Sequence, residues 1–195
     1  MAAAYAELGR GGLVTGATGN VSAAGDGIVA ITPTGGRPGL TADEVAVVRL
    51  VDGAHLGGGA TSSELPTHLG LLRAGALAVV HSHAPHATTF GLIADRLPVI
   101  LAEQVIDLGG GTRVVPYQGT GTQEMASALA ERQAAGERGA IVRNHGPVTW
   151  GATLERALAA TYALEEAARA WLLARAAGAE PMRLPDAEIE RLRAR

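Results

Sequence analysis

Short apolar runs separated by glycine-rich loops set the rhythm of this chain. Residues 28–32 (IVAIT) and 45–50 (VAVVRL) are rich in β-branched side chains and read as strands. Between them, Pro33, Gly35, Gly36, Pro38 and Gly39 interrupt any regular element, so PTGGRPGL is a loop. VDGAHLGGG reads as a turn marked by Asp52-Gly53. A helix capped by Ser62 or Ser63 then runs to about Ala74, with Leu65, Leu69 and Leu72 at steps of four and three. The pattern next predicts a strand over 77–82, a helix from about Pro85 to Ala94, and an apolar segment from Val99 to Leu108 ended by three glycines. A strand at 113–117, an Ala-rich helix at 121–135 and a strand at 139–143 follow, and NHGPVTWG turns into another strand. The longest helix spans about Thr153 to Ala177, where Leu154, Leu158, Thr161, Leu164, Ala168 and Trp171 form a stripe suited to packing on a sheet. Alternation of strands and helices, without an internal repeat or linker, predicts one α/β or α+β domain over residues 1–195.

Composition narrows the function. The 195 residues are 47% hydrophobic and 18% charged, with a formal net charge of -3, as in an ordinary globular protein. No basic block offers itself to a phosphate backbone, so nucleic acid is not an expected partner. No apolar run approaches the ~18–20 residues that span a bilayer. MAAAYAELGRGG lacks the sections of a signal peptide, and the cytoplasm is the expected compartment. Cysteine is absent, which excludes disulfides, thiolate metal sites and thiol nucleophiles. Lysine is absent as well, all 16 basic residues being arginine. Schiff-base catalysis and lysine-dependent phosphate loops are therefore closed. A carbonyl activated by this chain needs another electrophile, and a metal ion is the obvious one.

Several stretches carry candidate chemistry. In VVHSH, His81 and His83 are two residues apart at the end of a strand, so their rings share a face. They are either hydrogen-bonded histidines or two ligands of one ion. His145 lies in RNHGP, after strand 139–143, and if that strand neighbours strand 77–82 it completes a three-histidine face with an open fourth position. His55, His68 and His86 read more readily as solvated or satisfied histidines. TSSEL places Glu64 after two hydroxyls at a loop-to-helix junction, which is either a plain helix start or an anion site with a proton-transfer group beside it. TGATGN at 15–20 and TPTGG at 32–36 offer backbone N–H groups, threonine hydroxyls and the Asn20 amide, which can bind phosphate without lysine. TGATGN does not lead into a helix, so a dinucleotide-binding turn is rejected.

In combination, TGNVS (18–22), ITPTG (31–35), TSSEL (61–65), VVHSHAPHAT (79–88) and NHGPVTWG (144–151) resemble the class II aldolase/adducin family, specifically its fuculose-phosphate aldolase branch. The resemblance covers nearly the whole chain. It implies a three-layer α/β/α domain around a largely antiparallel central sheet. It also implies a Zn2+ site on His81, His83 and His145, for which Mn2+, Co2+ and Fe2+ are alternatives. Glu64 would complete the resting metal site and swing away as acid/base. Gly19, Asn20, Thr34, Gly35, Ser62 and Ser63 would cradle the phosphate of a sugar substrate. The implied reaction is cleavage of a ketose 1-phosphate to dihydroxyacetone phosphate and a small aldehyde through a metal-stabilised enediolate. A homotetramer with its site near a subunit interface is the implied assembly.

The chain departs from the family's pattern where the aldolases carry tyrosines. LPVILAEQV has none, with Glu103 or Gln104 near the expected place, and the tail after Ala179 has none either. Glu103 is thus a candidate second acid/base, and the donor to the aldehyde oxygen stays open. Ribulose-phosphate 4-epimerases, tetronate-phosphate decarboxylases and methylthioribulose-phosphate dehydratases are the alternatives within the family. A non-catalytic adducin-like module is the alternative outside catalysis.

Overall fold

The computed structural model describes residues 1–194. Nine strands form one sheet: β1 (Asn20–Gly25), β2 (Ile28–Ile31), β3 (Ala46–Arg49), β4 (His55–Gly57), β5 (Ala78–His81), β6 (Arg96–Leu97), β7 (Thr112–Val115), β8 (Gly139–Val142) and β9 (Gly146–Gly151). Their order is β4-β3-β2-β1-β5-β9-β8-β7-β6. Every neighbouring pair is antiparallel except β7 and β8. Among the described residues the seven α-helices are α1 (Ala2–Arg10), α2 (Leu65–Arg73), α3 (Pro85–Ile93), α4 (Ala102–Leu108), α5 (Gln123–Ala134), α6 (Leu154–Ala176) and α7 (Asp186–Arg193).

Strand alternation sorts the core into two halves. Val21, Ala78, Val80 and Ile141 face one way and meet Tyr5 and Leu8 of α1, Phe90 of α3, Leu108 of α4 and the alanine-lined face of α6. Val79, Ala140, Val142, Val148 and Trp150 face the other way and meet Leu69 and Leu72 of α2 and Met125 and Leu129 of α5. The result is the expected three-layer α/β/α arrangement on a largely antiparallel sheet. Small residues bring α6 close to the sheet: Thr161 Oγ1 lies 2.6 Å from Thr149 Oγ1 of β9, and Ala157, Ala160, Ala167 and Ala168 are all fully buried.

Four expectations need correction. Strands 77–82 and 139–143 are not neighbours, because β8 turns back at residues 143–145 and its own return strand β9 inserts between them. VDGAHLGGG is not wholly a turn, since His55–Gly57 pairs with the edge of β3 as β4. Neither Ser62 nor Ser63 caps α2; the cap position is Glu64, and Ser62 Oγ instead accepts from the Glu64 N–H at 3.1 Å. α1, β1, β6 and α7 arise where the pattern predicted no element. β1, with the small residues Ser22, Ala23 and Ala24, becomes a strand because β2 and β5 pair with it on both sides. Among the described residues, no helix is long and apolar enough to cross a membrane.

Candidate active site

The end of β5 is where the chain concentrates its polar groups. His81 is the last residue of the strand, on the same face as Val79, and is fully buried. His83 lies just beyond the strand, its backbone N–H donating to the Leu13 carbonyl at 2.9 Å. His145 sits in the turn between β8 and β9, where Asn144 takes a left-handed φ of 58°, a conformation Asn tolerates better than most residues. Because β9 pairs with β5, this turn is carried to His81 even though β8 is not its neighbour. Gly146 permits the approach: a Cβ there would stand 2.4 Å from the Ser82 carbonyl oxygen. Gly19 does the same from the other side, with φ 70° and only 2.7 Å between a hypothetical Cβ and the His81 carbonyl oxygen.

The three histidines converge. Their ring centroids are 4.6 to 5.4 Å apart, and one nitrogen from each lies within 4.8 Å of the others. His81 Nδ1 donates to the Pro147 carbonyl at 3.1 Å, which leaves its Nε2 lone pair facing His83 Nε2 at 3.2 Å. Glu64 Oε1 lies 3.3 Å from His145 Nε2 and 3.5 Å from His81 Nε2. Glu64 Oε2 and His145 Nδ1 are buried without a partner among the described residues. A sealed carboxylate oxygen beside inward-facing imidazoles is a donor set that a cation would satisfy. The site therefore fits a divalent metal ion, and three histidines with one carboxylate match the ligand types and count of zinc.

Electrostatics agree with that chemistry. Burial pushes His81 down to about 3 against the opposing pull of Glu64, so the ring is neutral and able to ligate at neutral pH. Burial also lowers His83. Burial alone would raise the Glu64 carboxyl, but the hydrogen bond from His145 and the fields of His81, His145 and His68 outweigh it and hold it down to about 2.

A pocket of about 260 Å³ opens beside the histidines and is lined by Thr18, Gly19, Asn20, Thr34, Gly35, Ser62, Ser63, Glu64, His83, Thr120 and His145. The fully buried Tyr5 of α1 ties two of its loops together, its hydroxyl lying 2.8 Å from the Thr18 carbonyl and 3.0 Å from the Gly36 carbonyl. Thr34 Oγ1 accepts from the Ser63 N–H at 2.8 Å and joins the third loop. The six residues expected to cradle phosphate thus surround one cavity with Glu64 and two of the histidines, while His81 lies buried behind it.

The whole-chain comparison decides the family: the model of the class II aldolase and adducin N-terminal domain matches residues 1–172. The chain belongs to the class II aldolase and adducin family. It is 31% identical to a 5-deoxy-D-ribulose 1-phosphate aldolase of Bacillus thuringiensis, over 93% of this chain and 86% of that protein. It is 32% identical to a 3-oxo-tetronate 4-phosphate decarboxylase of Cupriavidus necator, over 96% of this chain and 90% of that one. Among solved structures, an L-fuculose 1-phosphate aldolase superposes with a TM-score of 0.91 at 27% identity, covering 99% of this chain and 92% of that chain. The chain is an enzyme of the aldolase type, from a metal-dependent family.

Within this class II aldolase fold the remaining candidates fall elsewhere. Glu103 lies on α4 in a different cleft, with His86, Glu165 and Arg169, outside the pocket of Glu64. Gln104 is buried and structural: its Oε1 accepts from the Ile100 and Leu101 N–H groups at the start of α4. His86 Nδ1 pairs with Glu165 at 2.7 Å, and the same carboxylate accepts the His86 and Ala87 N–H groups at 3.1 and 2.9 Å, anchoring the start of α3 just after His83. His55 bonds the Gly59 carbonyl at 2.9 Å. Sequence reasoning missed Thr120, although GTGT at 119–122 repeats the Gly/Thr character of the other pocket loops. It missed Tyr5 too, which carries no local signal because its partners are 13 and 31 residues away.

Proposed function

We propose that this chain is a zinc-type aldolase that cleaves a ketose 1-phosphate into dihydroxyacetone phosphate and a small aldehyde. The observation that carries it is the joining of Glu64 and two of the three histidines to a lysine-free ring of N–H and hydroxyl groups in one pocket. A divalent ion bound by His81, His83, His145 and, at rest, Glu64 supplies a Lewis acid for the substrate carbonyl. The chain's own groups do the rest. Gly19, Asn20, Thr34, Gly35, Ser62 and Ser63 offer donors at the pocket wall for a phosphate dianion. Glu64 moves the proton at the carbon next to the carbonyl. Its environment suits both duties: beside the histidines it is ionised, and on leaving them it loses the influences that lower its pKa while burial still raises it. Glu103, from its separate cleft, stays the candidate for the second proton transfer, delivered by a second copy of the chain in a tetramer.

A decarboxylase reading has its own support in the 32% identity to the Cupriavidus protein. Loss of the carboxyl from a 3-oxo-tetronate 4-phosphate leaves the same phosphorylated three-carbon ketone, so the same pocket serves both reactions. A coupled assay for dihydroxyacetone phosphate, run on metal-replete enzyme with ketose 1-phosphates and with 3-oxo-tetronate 4-phosphate, separates them by co-product. Stoichiometric aldehyde supports the aldolase. Carbon dioxide from the acid, with inert ketoses, replaces it with the decarboxylase, and epimerisation without triose release overturns both.

A further inference from the structure

His68 is fully buried on α2, and both its ring nitrogens are engaged by residues of β1. Its Nδ1 is 2.6 Å from Ser22 Oγ, and its Nε2 is 2.5 Å from Asn20 Oδ1. A neutral imidazole carries one donor and one acceptor, so these two contacts must run in one direction. Ser22 fixes which. Its hydroxyl is fully buried and bonds only His68 Nδ1 among the described residues, so its hydrogen has nowhere else to go. Donation from His68 to Ser22 would leave that hydrogen sealed without an acceptor. Ser22 therefore donates to Nδ1, the His68 proton sits on Nε2, and Nε2–H donates to Asn20 Oδ1. With its oxygen turned inward, the Asn20 amide presents its NH₂ to the pocket that Asn20 lines. Among the described residues that nitrogen has no protein partner, and it is not sealed from solvent.

We infer that Ser22 and His68 form a buried relay that locks the Asn20 amide with its two N–H donors facing the substrate, so that the pocket favours an anion without any lysine. The inference rests on the phosphate reading of this pocket and adds the positioning residues behind it. An unlocked Asn20 would flip and offer its carbonyl to the phosphate, turning an attraction into a repulsion. Neither Ser22 nor His68 touches the substrate; both act through Asn20. Burial agrees with the neutral ring, lowering His68 to about 4 despite the nearby Glu64.

The test combines a spectrum with a titration on the metal-replete, full-length protein. Nitrogen-15 NMR of His68 is expected to show a protonated Nε2 and an unprotonated, imine-type Nδ1. Titration with inorganic phosphate is expected to shift the Asn20 side-chain amide resonances. In Ser22→Ala the phosphate Kd should rise about tenfold with metal content unchanged, the size expected for one well-placed hydrogen bond. His68→Gln should do the same if it folds, and Ser22→Ala, which removes one small group, keeps the question answerable if it does not. A protonated Nδ1, or an unchanged phosphate Kd in Ser22→Ala, overturns the relay. An intact Nε2–H tautomer in a wild-type protein that ignores phosphate keeps the relay and removes the phosphate reading instead.

Discussion

Two groups of histidine share one end of the sheet and are built on opposite plans. His68 is closed: each ring nitrogen meets a neutral oxygen, at 2.6 and 2.5 Å, and nothing is left over. His81, His83 and His145 are open. Their nitrogens point at one another and at Glu64, whose Oε2 is buried without a partner among the described residues. Both His68 and His81 are fully inaccessible, so burial does not separate a ligand from a structural histidine. What separates them is the chemistry facing the lone pair. A hydroxyl donor satisfies the His68 ring, whereas a sealed carboxylate oxygen beside three convergent imidazoles leaves room for a cation.

The largest effect expected is at the open group. His81→Ala removes one of three imidazoles, and metal content measured by plasma mass spectrometry should fall close to zero. Turnover should drop by more than about a hundredfold, beyond what loss of a supporting contact usually does. Glu64→Gln should keep the metal through the histidines yet lose most turnover; wild-type rates in that variant would remove Glu64 from the proton transfer.

At the closed group the damage should appear as stability. His68→Phe strands Asn20 Oδ1 and the Ser22 hydroxyl, and urea midpoints should report a loss of about 2–4 kcal/mol with one metal per chain retained. Loss of metal in step with stability would erase the distinction between the two groups.

Acid sharpens the contrast further. The folded-state pKa of His68 lies near 4, below the ordinary 6.5, so the unfolded chain takes up a proton that the folded chain refuses. Stability from this group is therefore intact above about pH 6.5 and declines as pH falls toward 4. His81, held near 3, pulls in the same direction and extends the loss to lower pH. Denaturation curves across that range should show a shallower slope in His68→Phe, and an unchanged slope would mean that His68 does not remain neutral.

The open group was far more legible in the sequence than the closed one. His-x-His at the end of an apolar run and Asn-His-Gly-Pro at a turn carry their own spacing and punctuation. The route by which they meet was not legible, because the insertion of β9 between β5 and β8 is a fact of sheet order rather than of local pattern. Glu64 was correctly placed at a loop-to-helix junction, yet the serines looked like caps because cap propensity ignores where a loop must go to meet Thr34. His68 looked uncommitted because its partners, Asn20 and Ser22, stand 48 and 46 residues back, in a strand whose small residues gave no strand signal. Tyr5 was invisible for the same reason. The smallest effect belongs to it: Tyr5→Phe should loosen the coupling of the loops at Thr18 and Gly36 and lower stability by about 1 kcal/mol. A circular-dichroism melt would detect it, and an unchanged Tm would mean that the loops hold without the hydroxyl.

The most direct measurement is a divalent-metal titration of the apo protein, followed by the visible absorption of bound Co2+, in wild type, His81→Ala and His68→Gln. One ion per chain in wild type and His68→Gln, with none in His81→Ala, is the predicted result. Less than about a tenth of an equivalent in wild type, or equal loss in both variants, would contradict the assignment of the three histidines as the metal face and of His68 as its closed neighbour.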